Sequence, residues 1–290
     1  MQTRCLFKLL LASFCFCSAG VFAQSNNQPT ANVHSDNPEG KFSWSLTIAT
    51  DIVLTESMFI GAEQDQDLDF VNISILLDLY YKGFFIQTNK HRFGGYANGA
   101  EVGYELEVND QYEIDLINKM YLPGFSSSYV GTIDTRDIPE LEGIKDREFI
   151  SSQGIRYMRY LSNSVYWIDL AANIFGDEHS GWVVDGFYSY ILQKRNWDIN
   201  LGVGASFYSS NMNNYYFSIK PEEATQIRTE YKPGAGYRLQ IEAFVQRPIN
   251  EDWLFNGGLT ISHYSKSIAD SPIVVRENEV TAQIGFSYVF

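Results

Sequence analysis

The chain has 290 residues, with 21 Lys and Arg against 35 Asp and Glu and a formal net charge of −14. An acidic balance this strong excludes a nucleic-acid binder, because phosphate contacts need a basic face. Aromatic residues at 15% with charged residues at only 19% are too apolar for a disordered chain, and the length suits one large domain or two small ones.

The first segment, residues 1–23, reads as a cleaved signal peptide. Arg4 and Lys8 form a positive start, Leu9 to Ala19 an apolar core, and Val21-Phe22-Ala23 a cleavage site. The stretch is too short for a spanning helix with ordinary flanks. Cys5, Cys15 and Cys17 all lie inside it. A lipoprotein signal would place a small residue before its cysteine, whereas Cys15 and Cys17 each follow a Phe. Because Arg4 and Lys8 are the only charges of this leader, its loss takes the net charge to −16 and leaves no cysteine. A mature chain of that kind has no disulfide, thiol nucleophile or thiolate metal site. Residues 24–40 are polar and rich in Asn, Ser and Pro, a disordered lead, and residues 41–290 form the folded domain.

From Phe42 onward the pattern has a period of two, the signature of strands. Phe42, Trp44, Leu46 and Ile48 oppose Ser43, Ser45 and Thr47. Val102, Tyr104 and Leu106 oppose Glu101, Gly103, Glu105 and Glu107. Leu201, Val203, Ala205 and Phe207 oppose Gly202, Gly204 and Ser206, and Tyr237, Leu239 and Ile241 oppose Arg238, Gln240 and Glu242. Twelve such runs follow one another, at 42–54, 68–81, 84–90, 99–108, 111–121, 149–161, 164–174, 181–193, 196–209, 235–248, 251–264 and 278–290. In the runs near 84–90, 149–161 and 164–174 both phases carry aromatics, so their facing is ambiguous.

The connections alternate short and long. Lys82-Gly83, Asn109-Asp110, Ser162-Asn163, Lys194-Arg195 and Ile249-Asn250-Glu251 are turn chemistry. The stretches at 55–67, 91–98, 122–148, 175–180, 210–234 and 265–277 are long and rich in polar residues, Gly and Pro. A secreted jelly roll or sandwich would also alternate apolar and polar residues. It has no reason to gather every short turn at one end. An all-β, membrane-spanning, antiparallel up-and-down barrel of about twelve strands does. In hydrocarbon every backbone group must pair within the protein, and a closed barrel has no edge. Trp44, Trp167, Trp182, Trp197 and Trp253 fall near strand ends, where an interfacial girdle is expected. The location implied is the outer membrane of a Gram-negative bacterium, with outer-membrane lipid as the first partner.

The second half carries a set of segments in order: Asn213-Asn214-Tyr215-Tyr216-Phe217, then Pro221-Glu222-Glu223-Ala224, Tyr231 with Gly234-Ala235-Gly236, Ser271-Pro272-Ile273-Val274, and the ending Tyr288-Val289-Phe290. Together they resemble the MipA/OmpV family of MltA-interacting outer-membrane proteins. Gly143-Ile144-Lys145-Asp146 and the spacing from Asp169 to His179-Ser180-Gly181 also look like family positions. Where family members tend to have a Pro-rich stretch after the first loop, this chain has Phe70-Val71-Asn72-Ile73-Ser74. The resemblance implies a non-enzymatic scaffold that links a murein lytic transglycosylase and a murein synthase. The apolar-aromatic ending resembles the C-terminal sorting signal of bacterial outer-membrane barrels, so Tyr288 and Phe290 are expected to be read by the outer-membrane assembly machinery. Tyr215 to Ala224 and Ser271 to Val274 are then expected on external loops folded inward as a plug. The alternative is a narrow, porin-like channel.

Candidate chemistry is sparse, and neither cofactor nor metal site is expected. His34, His91 and His179 fall in the lead or in loops. His263 with Ser265 is the one Ser–His spacing for a lipase-like site, and an ordinary interfacial histidine is the stronger reading. Glu101, Glu105, Glu107, Glu113, Asp115, Asp185, Asp198 and Glu242 lie on the lumen phase with Lys119 and Arg238, as an interior ion network would. Any conductance would therefore prefer cations. Glu56, Glu63, Asp65, Asp67 and Asp69 make the first long loop acidic but lack a Ca²⁺-loop spacing.

Overall fold

The computed structural model describes residues 42–62, 70–88, 101–130, 138–175 and 180–290. The leader, the polar lead, Glu63 to Asp69, His91 and His179 lie outside the described residues.

The described residues form fourteen strands in chain order: β1 (Ser43–Glu56), β2 (Val71–Tyr81), β3 (Phe84–Gln87), β4 (Glu101–Val108), β5 (Tyr112–Met120), β6 (Phe125–Ser126), β7 (Tyr129–Val130), β8 (Ser151–Leu161), β9 (Ser164–Ala172), β10 (Trp182–Lys194), β11 (Trp197–Tyr208), β12 (Gly236–Pro248), β13 (Trp253–Tyr264) and β14 (Asn278–Val289). Two short helices interrupt the last loops, α1 (Ser210–Phe217) and α2 (Lys266–Ala269). Twelve strands close into an antiparallel barrel in the order β1-β14-β13-β12-β11-β10-β9-β8-β5-β4-β3-β2, and β6 and β7 form a separate two-stranded piece. No helix among the described residues is long and apolar enough to cross a membrane.

The turn residues explain the tight end. Lys82 and Gly83 both have positive φ, 50° and 84°, the pair a two-residue hairpin needs to match strand twist. Asn109 Oδ1 accepts from the N–H groups of Gln111 and Tyr112 at 2.9 and 3.0 Å. Asn250 Oδ1 does the same for Asp252 and Trp253. Each side chain replaces a backbone partner and starts its hairpin. The start of β1 and the end of β14 lie at this same end, since Ser43 pairs with Tyr80 and Thr47 with Val289.

Alternation sets the two faces. Ile52, Leu54, Ile73, Ile75, Leu201, Val203, Leu239 and Ile241 are exposed outward, where lipid takes the place of a core. Asp51, Ser74, Asp78, Gln240 and Glu242 are buried inward. The closing seam needs a glycine: a Cβ on Gly285 would sit 2.2 Å from Asp51 Oδ1 and 2.3 Å from Thr50 O.

Two expected facings are corrected. Trp167 is not a girdle residue; it points inward, 1% exposed, and packs on Phe187 at 4.9 Å. The run around it carries aromatics in both phases, and periodicity alone placed it on the wrong side. Glu107 is not in the lumen. The register slips between Glu105 and Glu107, and a bulge of this kind turns the following side chain to the other face. Glu107 is exposed and accepts the Tyr112 hydroxyl. The remaining tryptophans keep their expected places. Trp44 and Trp253 are exposed at the turn end and Trp182 at the loop end, and Trp197 packs edge-on against Phe255.

Candidate functional site

Four of the long connections converge over one end of the barrel. Ser209 starts α1 by accepting Met212 N–H on its side chain, a cap for one of the unpaired donors of the first turn. The helix then buries Met212, Asn213, Tyr216 and Phe217. Phe217 stacks on Phe59 of the first long connection, with ring centroids 6.2 Å apart, and Phe59 meets Phe125 at 4.7 Å. Met58, Leu122, Ile138, Leu141, Ile268 and Ile273 complete one apolar core drawn from four different connections. Backbone pairs stitch it: Ile60 N–H to Ile273 O at 3.0 Å, Val275 N–H to Met58 O at 2.9 Å, and Phe125 and Arg147 to each other at 2.8 Å. Full burial of a Phe or Leu side chain contributes about 1.5–3 kcal/mol, so the cap is a unit with its own core.

A buried polar knot ties the cap across its longest segments. Glu223 is 2% exposed. Its carboxylate accepts Lys220 N–H, Lys145 N–H and Arg147 Nη2, each at 3.0 Å. Burial alone would raise the Glu223 carboxyl; the Arg147 guanidinium and the two backbone donors outweigh it and hold the group below the usual glutamate range. Arg228 is also buried, and its guanidinium donates to the carbonyls of Glu140, Glu142 and Glu223 at 2.8–3.1 Å.

The motif residues divide between cap interior and cap surface. Tyr216 and Phe217 are in the core; Tyr215 is half-buried, and its hydroxyl accepts Glu148 N–H at 2.9 Å. Pro221 opens a 3₁₀ turn and Glu223 closes it; Pro221, Glu222 and Ala224 are exposed. Ser271 Oγ donates to Phe217 O at 2.8 Å, and Pro272 is half-buried beside it. Gly236 is a true close approach, since a Cβ there would lie 2.5 Å from Asn213 Nδ2 and 2.7 Å from Ser265 Oγ. Gly234 has open space around its Cβ position. Tyr288 and Phe290 sit far away at the turn end, their rings 4.7 Å apart, with Tyr288 against Trp253 at 5.2 Å.

Beneath the cap runs a single row of inward side chains. Strand register aligns Glu105, Asp115, Arg156, Asp169, Asp185, Ser206, Arg238 and Tyr264 as successive cross-strand partners from β4 to β13. Arg156, 0% exposed, grips Asp169 through Nε and Nη2 at 2.8 and 3.0 Å and holds Glu101 with its other donors. Lys119 Nζ lies 2.7 Å from Asp169 and 3.6 Å from Asp185. Arg238 donates to Ser206 Oγ at 3.1 Å, and Ser206 donates to Asp185 at 2.6 Å. Tyr121, at the base of the cap, donates to Asp169 at 3.0 Å, joining cap to row. Nearer the turns, Met158, Val165, Trp167 and Phe187 fill the interior with apolar volume.

Arg156 was not among the expected lumen charges. It lies on β8, whose two phases look alike, and its pairing with Asp169 on the equally ambiguous β9 shows only in register. His263 and Ser265, the Ser–His spacing weighed and disfavoured in the sequence, are not brought together. His263 lies on the outward phase and pairs through Nδ1 with Asn278 at 3.0 Å, while Ser265 Oγ pairs with Ser267 and accepts Tyr237 N–H. Among the described residues no three His, Cys, Asp or Glu side chains converge as a metal cluster.

Residues 52–290 match the model of the family described as MltA-interacting protein MipA. A 24 kDa outer membrane protein of Pasteurella multocida is 26% identical over 74% of this chain and 80% of its own length. The MltA-interacting protein of Escherichia coli is 22% identical over 74% of this chain and 99% of its own length. Outer membrane protein OmpV of Vibrio cholerae is 30% identical over 39% of this chain and 44% of its own. Among solved structures, a bacterial polysaccharide outer membrane secretin aligns with 87% of this chain at 9% identity and a TM-score of 0.41.

Proposed function

The chain belongs to the MltA-interacting protein MipA family and is an outer-membrane β-barrel protein, and from that premise we propose that it is a closed, non-enzymatic scaffold of the cell envelope. The observation that carries this reading is the filled interior: the Phe59–Phe125–Phe217 cap, the Arg156–Asp169 row and the Trp167–Phe187 layer are stacked along one barrel. A barrel occupied at three levels acts through its ends, not through its lumen. With the short turns on the periplasmic side, as outer-membrane barrels have them, the turn end faces murein. There it would hold a murein lytic transglycosylase and a murein synthase together during peptidoglycan remodelling. The name of the E. coli relative supports the first of these partners. In the same reading residues 1–23 are removed on export, residues 24–40 are a polar lead, and Tyr288 and Phe290 engage the assembly machinery.

Affinity capture on the tagged, detergent-solubilised barrel tests this. Retention of both classes of murein enzyme is the expected result, and retention of neither contradicts it. The second reading is a narrow channel that prefers cations. It is supported by inward carboxylates such as Glu105, Asp115 and Glu242, since carboxylate rings favour cations.

A further inference from the structure

One cation faces the wrong way for the lumen. On β8 the outward phase is Ile155, Tyr157, Arg159 and Leu161, with Ile155 and Leu161 exposed at about half of their surface. Arg159 therefore stands on the lipid side. In the register it lies directly between Tyr112 of β5 and Tyr166 of β9, and Tyr166 in turn pairs with Tyr188 of β10. Tyr157, two residues along the same strand, has its ring 6.0 Å from that of Tyr112 and 6.3 Å from that of Tyr166. Three tyrosines are thus the immediate strand neighbours of Arg159 on the outer wall.

Arg159 has little protein to satisfy it. Its hydrogen bond is a long one, Nη2 to Gln111 Oε1 at 3.5 Å, and none of the ion pairs among the described residues involves it. The nearby acid Glu107 is engaged by the Tyr112 hydroxyl. Arg247, also on the outward phase at this end, differs: it stacks on Trp197, 5.4 Å from the ring centre. A guanidinium against lipid with unused donors needs an anion.

The depth identifies that anion. Arg159 is two residues from the end of β8. At about 3.3 Å per residue and a strand tilt of about 40°, that is roughly 5 Å from the rim, within reach of a snorkelling arginine and level with phospholipid phosphates. We infer that Arg159, flanked by Tyr112, Tyr157 and Tyr166, is a binding site for the phosphate of a phospholipid in the leaflet at the turn end. The guanidinium donates to phosphate oxygens in its fork geometry, and tyrosine hydroxyls at this level suit phosphate or glycerol ester oxygens. Assignment to the periplasmic leaflet rests on the orientation proposed above; the site itself does not.

The test is native mass spectrometry of the folded barrel in detergent micelles titrated with phosphatidylglycerol, with heat-modifiable gel mobility as the folding check. Arg159→Gln is expected to weaken the first bound lipid about tenfold, the size of one charge-assisted hydrogen bond, and Arg159→Lys to fall between. Arg247→Gln is expected to change it less than twofold. Binding to Arg159→Gln as tight as to the parent overturns the site. So does an equal loss in Arg247→Gln, which would mean general attraction to a basic rim. If Arg159→Gln does not fold, Tyr166→Phe removes a single hydroxyl and Arg159→Lys only the fork. Unchanged affinity in both also overturns it.

Discussion

Arg156 and Asp169 face each other in register across β8 and β9 and meet through two parallel bonds, Nε to Oδ1 at 2.8 Å and Nη2 to Oδ2 at 3.0 Å. Both side chains are fully buried, so neither ion has water to replace the other. Removing Arg156 leaves Asp169 with only Lys119 and Tyr121 and takes the guanidinium from buried Glu101. Arg156→Ala is expected to destabilise the barrel by about 3–5 kcal/mol, read from urea unfolding in detergent or lipid. Arg156→Met with Asp169→Leu is expected to recover only a small part of that loss: it replaces the buried pair by apolar volume but takes the guanidinium from buried Glu101 and the 2.7 Å carboxylate from Lys119.

Phe217 ties α1 to the cap core through Phe59. Phe217→Ala is expected to cost the cap about 3–5 kcal/mol while the twelve strands keep their pairing. Proteolysis of intact cells separates the two effects. Cleavage near Lys220 and Arg228 should be slow in the parent and fast in the variant, with the barrel still heat-modifiable on gels.

Glu223 sets the acid limit of the cap. Its folded carboxyl is held below the ordinary glutamate value, so its contribution is complete above that unfolded value, about pH 4.5, and is lost as pH falls through the lower folded one. Cap protection against proteolysis at Lys220 should therefore be flat from neutral pH to about 5 and fall only in stronger acid. Glu223→Gln should remove that acid-dependent step and weaken the cap at neutral pH, since it replaces the carboxylate of the Arg147 ion pair by a neutral amide.

Two glycines of one motif should behave oppositely. Gly236→Ala puts a methyl against Asn213, Ser265 and Ser267 and is expected to cost about 1–3 kcal/mol. Gly234→Ala meets open space and is expected to stay within about 0.5 kcal/mol. Unfolding midpoints of the two variants check this.

The barrel was legible because lipid and lumen impose the period-two pattern on every strand, and because Lys82-Gly83, Asn109 and Asn250 write their turns locally. The site was legible only in part. Tyr216, Phe217 and Glu223 stood out as a resemblance, but nothing in their spacing says that Glu223 meets Arg147 or Phe217 meets Phe59, contacts made across 76 and about 158 residues of chain. Arg156 and Trp167 were missed for a different reason. On β8 and β9 tyrosine, tryptophan and methionine fill both phases, and such side chains suit the lipid interface and the packed interior equally. Glu107 escaped because a one-residue bulge leaves no mark in an alternating sequence.

The closed interior is tested most directly by planar-bilayer recording on the purified, folded barrel. The parent protein is expected to insert without steady conductance, and Phe217→Ala combined with Arg156→Ala to open current steps. Stable open-channel steps from the unaltered protein, of either ion preference, would contradict the occluded scaffold.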